Sequence, residues 1–285
     1  MQSKIFSVNK TLNLRGKPID LSVPRIMGIL NVTPDSFYDG FRYTDEASVL
    51  QQAEKMISEG VDIIDVGGYS TRPGAEPIST EEELQRAIPA IVAIRKKFPD
   101  VCLSIDTFRS EVARQAVEHG ASMVNDISGG ELDAAMFSTV AHLHVPYVLM
   151  HMRGTPQTMN GLTDYDDLVR DLIDYFHPKI FRLHQLGLTD IIIDPGFGFA
   201  KTVEQNFELL SRLNSLRLLG KPVLAGLSRK SMIWRTLKTT PENALNGTTA
   251  LHAVALVNGA SLLRVHDVRE AKETISLFLH LNRHS

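Results

Sequence analysis

A chain of 285 residues with 43% hydrophobic and 22% charged content can bury a large core without disulfide or metal staples. Its net charge of −3, from Lys+Arg 30 against Asp+Glu 33, leaves no global basic footprint, so nucleic acid is not an expected partner. No run approaches the about 18 apolar residues of a membrane span, the segment MQSKIFSVNKTLNLRG lacks the apolar core of a signal peptide, and the lone Cys102 reads as a buried small hydrophobe, so a reduced, cytoplasmic setting with no membrane contact is expected.

Residues 1–24 alternate polar and apolar side chains around Arg15-Gly16-Lys17-Pro18, the pattern of a β-hairpin, here expected to plug the amino-terminal end of the main domain. RIMGIL then leads through the loop NVTPDSFYDGFRYT to the helix EASVLQQAEKMISEG, closed by Gly60. VDIIDV leads through GGYSTRPGAEPIS to the helix TEEELQRAIPAIVAIRKKF, where Thr80 and Glu83 have capping-box spacing. VCLSID precedes the helix RSEVARQAVEHG, and SMVND precedes AAMFSTVAHLH. PYVLMH precedes the long helix DDLVRDLIDYFHPKIFRLHQLG, which Pro178 should bend or break. IIID, PVLAG and LLRV are the remaining strands, with helices VEQNFELLSRLNSL, PENALNGTTALHAVALVNG and VREAKETISLFLHLNRH. Strands alternating with helices imply parallel pairing and right-handed crossovers. Eight such units favour closure, so the expected fold is α/β, one (β/α)₈ TIM-barrel domain over 1–285 with its N-terminal β-hairpin at 1–24. The rival, an open doubly wound sheet, usually has a Gly-rich turn after its first strand, which NVTPDSF is not.

Residues just past the carboxyl ends of barrel strands face the substrate. Asp106, Asn125 and Asp194 end three different strands. Carboxylates accept paired hydrogen bonds and an amide both donates and accepts, so together they suit a flat heterocycle bearing N–H donors and a carbonyl. The plainer alternative is that each caps the following helix. Lys230, in Ser228-Arg229-Lys230-Ser231, offers a cation to a ring carbonyl or nitrogen, unless it and Arg229 are a solvated loop pair. Arg264 and His266, two apart on the last strand, share a face and suit a phosphate-bearing group; an Arg264–Asp267 ion pair at the rim is the alternative. Asn31 could ligate Mg²⁺ through its amide oxygen, or merely form a turn. Thr71 and Arg72 could reach an anion from the loop after the second strand, and Phe199 reads as an aromatic wall or a core residue. His142 and His144 lack a third ligand and read as surface or packing residues.

Seven segments in order, MGILNVTPDSF, GGYSTRPGA, IDT, NDIS, DPGFGFAK, GLSRKS and RVHDV, resemble the dihydropteroate synthase family over residues 25 to 268. The resemblance implies a homodimeric transferase of folate biosynthesis that joins 6-hydroxymethyl-7,8-dihydropterin diphosphate to 4-aminobenzoate, giving 7,8-dihydropteroate and diphosphate, and that is a sulfonamide target. It also implies roles by position. Asp106, Asn125, Asp194 and Lys230 would hold the pterin, with Met150 and Gly226 beside it. Asn31 would carry Mg²⁺ on the diphosphate, which Arg264 and His266 would bind. Thr71, Arg72, Pro73, Phe37, Phe199 and Ser231 would form the aminobenzoate pocket. Asp106, Asp194, Lys230, Arg264 and His266 would be the catalytic set. Three loop positions depart from the family pattern: Tyr69 where Glu is usual, Tyr38 where Ser is common, and Ala200 where Gly is usual. A methyltetrahydrofolate-dependent methyltransferase on a similar barrel, or a catalytically silent pterin-binding protein, are the alternatives to be separated by diphosphate release.

Overall fold

The computed structural model describes residues 11–14, 16–33, 46–70 and 76–282. A two-stranded hairpin, β1 (Thr11–Leu14) and β2 (Lys17–Asp20), precedes eight further strands. These are β3 (Arg25–Asn31), β4 (Ile63–Gly67), β5 (Cys102–Asp106), β6 (Met123–Asp126), β7 (Tyr147–Met150), β8 (Ile191–Asp194), β9 (Leu224–Ala225) and β10 (Leu262–Val265). The eight are parallel and form a ring in the order β8-β7-β6-β5-β4-β3-β10-β9, and an Ile193–Val223 bridge joins its two ends. Around them run α1 (Glu46–Ser58), α2 (Thr80–Lys97), α3 (Ser110–Glu118), α4 (Met136–Leu143), α5 (Leu168–Gln185), α6 (Val203–Ser211), α7 (Ser231–Thr236), α8 (Leu245–Val257) and α9 (Val268–Asn282). The expected barrel of eight units is therefore observed.

Strand alternation divides the core. Ile26, Leu30, Ile64, Val66, Leu103, Ile105, Val124, Leu149, Ile193 and Leu263 face outward into one large cluster with the helices. The opposite faces begin with Met27, Ile63, Met123, Val148, Ile192, Leu224 and Leu262, which meet inside the ring at its amino-terminal end. The antiparallel hairpin adds Leu12 and Leu14 to that second cluster, with Ile19 and Cys102 packed against it. It is thus an apolar stopper at the closed end, and the backbone N–H of Asn13 donates to Asp190 Oδ2 at 2.9 Å to fasten it. Ligand access is confined to the other mouth. Cys102 is half-buried rather than fully buried, because it lies at the margin of this stopper.

Two helix expectations need correction. The N-cap of α2 is Ser79, which accepts from the Glu82 N–H at 3.1 Å. Thr80 is the first helical residue, so its pairing with Glu83 in a capping box does not form. Glu83 turns inward and pairs with Arg109, a stronger partner than a backbone N–H. Of the bend or break expected at Pro178 the break does not occur: α5 is one continuous helix, its inner face held by the buried Leu172, Phe176, Ile180 and Leu183. Tertiary burial outweighs the one hydrogen bond that proline removes.

Candidate active site

Above the apolar stopper the inward positions change character. One step up from Ile63, Cys102, Met123, Ile192 and Leu262, at two-residue spacing, stand Asp65, Ser104, Asn125, Asp194 and Arg264. At the carboxyl ends Asn31, Gly67, Asp106 and Asn125 are register partners across four neighbouring strands. Polar groups are thus stacked inside the mouth while the outward faces of the same strands stay aliphatic.

The centre of this layer is Arg264. Its Nε donates to Asp65 Oδ2 at 2.7 Å and its Nη2 to Asp106 Oδ2 at 2.5 Å. Burial disfavours the guanidinium charge, but Asp65 and Asp106 more than offset it, leaving its pKa raised. The alternative Arg264–Asp267 pair does not form; Asp267 instead takes a two-point bond from Arg229, at 3.0 and 2.6 Å. Arg229 is therefore tied down rather than solvated, while Lys230 turns towards the Phe199 ring. Asp65 Oδ2 also accepts from Asn125 Nδ2 at 2.9 Å. Burial raises the pKa of Asp106, with Arg264 opposing. It also raises that of Asp194, opposed by the Gly196 N–H and Lys230. The mouth thus holds carboxylates that gain by meeting positive charge or N–H donors.

The capping alternative holds for one oxygen only. Asp194 Oδ1 accepts from the Gly196 N–H at 2.8 Å. Its Oδ2 faces Gly226, where an added Cβ would stand 3.9 Å away, leaving room there for at least one carbon. Lys230 Nζ lies 4.3 Å from the centre of the Phe199 ring. Burial, then the Arg264 charge, lowers the Lys230 pKa to about 8. Met150 and Phe199 belong to one small apolar cluster with Ile127, Met152, Met159 and Ala200, against which Phe108 packs. Phe199 is thus both the wall and a packed residue.

The loop after β8 is braced from beneath. Lys201 Nζ reaches His151 Nδ1, Gly196 O and Phe199 O, each at 3.1 Å. Burial lowers the Lys201 pKa to about 7, and burial with the Lys201 charge lowers that of His151 to about 2. His151 therefore accepts at Nδ1 as a neutral ring. Gly196 has φ +72°, and an added Cβ would lie 2.1 Å from His151 O, so no other residue fits. Ala200 takes φ +48°, with its carbonyl accepting from the Tyr165 hydroxyl at 2.8 Å. The departure from Gly at this position thus places a side chain where the backbone is left-handed, at a cost in strain.

At the rim His266 lies one residue past β10 and is exposed. Ser228 Oγ accepts from the His266 backbone N–H at 3.2 Å and lies 3.0 Å from its Nδ1. The hydroxyl proton is then directed to Nδ1, which leaves Nε2–H as an outward donor. Surrounding protein, then Arg264, lowers the ring's pKa, so it donates as a neutral group near pH 7. Asn31 is half-buried at the end of β3, its Oδ1 3.3 Å from where a Cβ on Gly67 would stand. Ser231 opens α7 directly after Lys230. Phe37, Thr71, Arg72 and Pro73, together with Tyr38, lie outside the described residues. Tyr69 packs edge-on against Phe108 at 5.1 Å, with the Arg109 guanidinium 5.3 Å from its ring.

The structure thus gathers Asp106, Asn125, Asp194, Lys230, Arg264, Met150, Gly226 and Phe199 within one mouth, with Asn31, His266 and Ser231 at its edge. Reading strand ends alone missed Asp65, the His151–Lys201 brace and the Ser228–His266 pair. The available signal was an acid at an inward position of an otherwise aliphatic run, VDIIDV. Neighbouring Asp126 follows a different rule. It faces outward, accepts from the Tyr147 hydroxyl at 2.6 Å and from the N–H groups of Ser128 and Gly130, and serves the turn.

The family model described as pterin binding enzyme matches residues 27–266. A dihydropteroate synthase of Synechocystis is 48% identical over 246 residues, covering 85% of each chain. One of Escherichia coli is 44% identical over 267 residues, covering 92% of this chain and 93% of that protein. Among solved structures, a Yersinia pestis dihydropteroate synthase in complex with a sulfonamide drug superposes with TM-score 0.91 at 39% identity, over 96% of this chain and 99% of that one. A Xanthomonas albilineans dihydropteroate synthase with 4-aminobenzoic acid gives TM-score 0.88 at 42% identity, over 96% and 98%.

Proposed function

This chain belongs to the dihydropteroate synthase family of pterin-binding enzymes, and from that premise we propose how its mouth condenses 6-hydroxymethyl-7,8-dihydropterin diphosphate with 4-aminobenzoate. The observation that carries the reading is the convergence of the Asp106 and Asp194 carboxylates, the buried Asn125 amide and the half-buried Lys230 at one mouth, with Asp194 Oδ2 facing Gly226.

The pterin lies in that mouth between Met150 and Phe199. Asp194 and Asn125 meet its N–H edge, Lys230 its carbonyl and ring nitrogen, and Asp106 the remaining ring N–H. An arylamine is a weak nucleophile, so departure of diphosphate comes first. The methylene C–O bond breaks with its electron pair going to diphosphate, and the electron-rich ring takes up the positive charge. Asp106 and Asp194, fixed before the reaction, stabilise that charge. Arg264, turning from Asp106, and the outward Nε2–H of His266 receive the leaving anion. The amine nitrogen then forms the C–N bond and loses its proton afterwards, so no strong base is required. Phe37, Thr71, Arg72, Pro73, Phe199 and Ser231 form the aminobenzoate pocket, which sulfonamides share.

Mg²⁺ is the proposed cofactor. The Asn31 amide is a hard oxygen at the mouth beside side-chain-free Gly67, a donor that suits an ion otherwise held by substrate phosphates and water. Asn31 would hold it, and it would supply charge neutralisation to the diphosphate. A homodimer is proposed from α8 and α9, where Val257 is 67%, Leu277 74% and Leu281 65% exposed. A cytoplasmic location is proposed from the lone cysteine; no helix among the described residues is long and apolar enough to cross a membrane.

A coupled diphosphate-release assay tests the reaction. Release that requires both the pterin diphosphate and 4-aminobenzoate, with dihydropteroate as product, is the expected result. Release of no diphosphate, or methyl transfer instead, refutes it.

A further inference from the structure

We propose that Asp65, one layer beneath the substrate-facing groups, is a positioning residue that sets both the orientation of the Asn125 amide and the anchor point of Arg264. The inference rests on the pterin reading above.

One oxygen does both jobs. Asp65 is fully buried, and its Oδ2 accepts from Asn125 Nδ2 at 2.9 Å and from Arg264 Nε at 2.7 Å. A carboxylate paired with a guanidinium only accepts, so the amino end of Asn125 must turn inward and its carbonyl oxygen outward. The amide then shows the ligand one fixed order of acceptor and N–H donor. That order matches the 2-amino donor and adjacent N1 acceptor of a pterin. Without Asp65 the amide can rotate by half a turn and present the reverse.

The same oxygen solves a charge problem. Arg264 is shared between two carboxylates: Asp65, whose side chain is 0% exposed, and Asp106, 15% exposed at the mouth. A substrate that engages Asp106 takes that partner from Nη2. An arginine held only by Asp106 would then be a largely desolvated cation without a counter-ion, which is costly. Held at Nε by Asp65, it keeps its compensation while the Nη groups pivot towards an anion. The second Asp65 oxygen has no hydrogen-bond partner, so the buried carboxylate carries a desolvation cost that packing alone does not require.

The test compares Asp65→Ala with Asp65→Asn, using 6-hydroxymethylpterin and 6-hydroxymethyllumazine as calorimetric probes. In the lumazine a 2-carbonyl replaces the amino donor and N1 gains a proton, so the donor–acceptor order is reversed. Wild type should prefer the pterin; no preference there counts against the pterin reading itself and is distinguishable from a failure of the Asp65 role. In Asp65→Ala the preference should fall by about tenfold or more, the scale of one misplaced buried hydrogen bond. KM for pterin diphosphate should rise while KM for aminobenzoate changes less than about twofold. Asp65→Asn, whose amide oxygen can still accept both bonds, should recover the preference. Preference unchanged in Asp65→Ala, or lost equally in both variants, overturns the proposal. Should Asp65→Ala not fold, the wild-type Asn125 side-chain amide decides. In ¹⁵N spectra of ligand-free protein its bonded proton should be protected from exchange and remain so with pterin bound; rapid exchange refutes the inference.

Discussion

Replacing Asp194 by Asn separates binding from stability with a change of one atom. The Gly196 N–H, 2.8 Å from Oδ1, must keep an acceptor, so the Asn oxygen takes that place and its NH₂ is forced to the Oδ2 position facing Gly226. A pterin N–H then meets a donor. Loss of a charge-assisted bond costs about 1.5–3 kcal/mol, and a donor left unpaired in a desolvated slot costs about 1–3 kcal/mol more. The expected loss in affinity for 6-hydroxymethylpterin is therefore on the order of 10² to 10⁴-fold. Binding of 4-aminobenzoate, measured with pterin and diphosphate at saturating levels, should change little. Stability should move the other way. The folded pKa of Asp194 is raised by burial. Its stability contribution is thus present below the unfolded pKa and is lost as pH rises through the folded one. At neutral pH the ionised group is a burden, so Asp194→Asn should unfold at the same or a higher temperature than wild type. Isothermal calorimetry and thermal denaturation at pH 7.5 measure the two effects. Comparable losses for both ligands, or a protein that melts well below wild type with pterin affinity intact, would sink the assignment.

Other consequences are open to simpler measurements. Lys230 has a pKa lowered to about 8, so its cation is lost as pH rises through that value; pterin affinity should fall above it, and Lys230→Arg should remove the fall, as read from Kd across pH 6 to 9.5. Gly226→Ala adds a Cβ that meets nothing nearer than 3.9 Å, so it should leave the melting temperature within a few degrees and weaken pterin binding by about fivefold or more. Chelating divalent cations should weaken binding of the pterin diphosphate but not of 6-hydroxymethylpterin, if Asn31 acts through an ion on the phosphates; equal sensitivity in calorimetry contradicts that role. Leu277→Lys, at a 74% exposed apolar position, should shift a dimer to monomer in sedimentation without unfolding it; an unchanged sedimentation coefficient places the interface elsewhere.

The architecture was legible in the sequence because strands and helices repeat their own short-range signals. Runs such as RIMGIL and SMVND are aliphatic with a polar stop, and a barrel directs that stop to its mouth. For the same reason Asp106, Asn125 and Asp194 could be picked without coordinates. The cap of α2 was misread, and a break at Pro178 does not occur, because local propensity there is overruled by what the residues touch: Glu83 by Arg109, Pro178 by the buried face around it.

What only the tertiary structure decided is which charges meet. Arg264 and Asp65 are separated by 199 positions, and Asn125 and Asp65 by 60. No periodicity reports such pairings, since ring closure brings strands together whose order in the chain says nothing about side-chain reach. The sequence named the polar inventory. The closed ring assigned Arg264 to Asp65 and Asp106, Arg229 to Asp267 and Lys201 to His151, because a desolvated charge settles with whichever partner the barrel places within bonding distance.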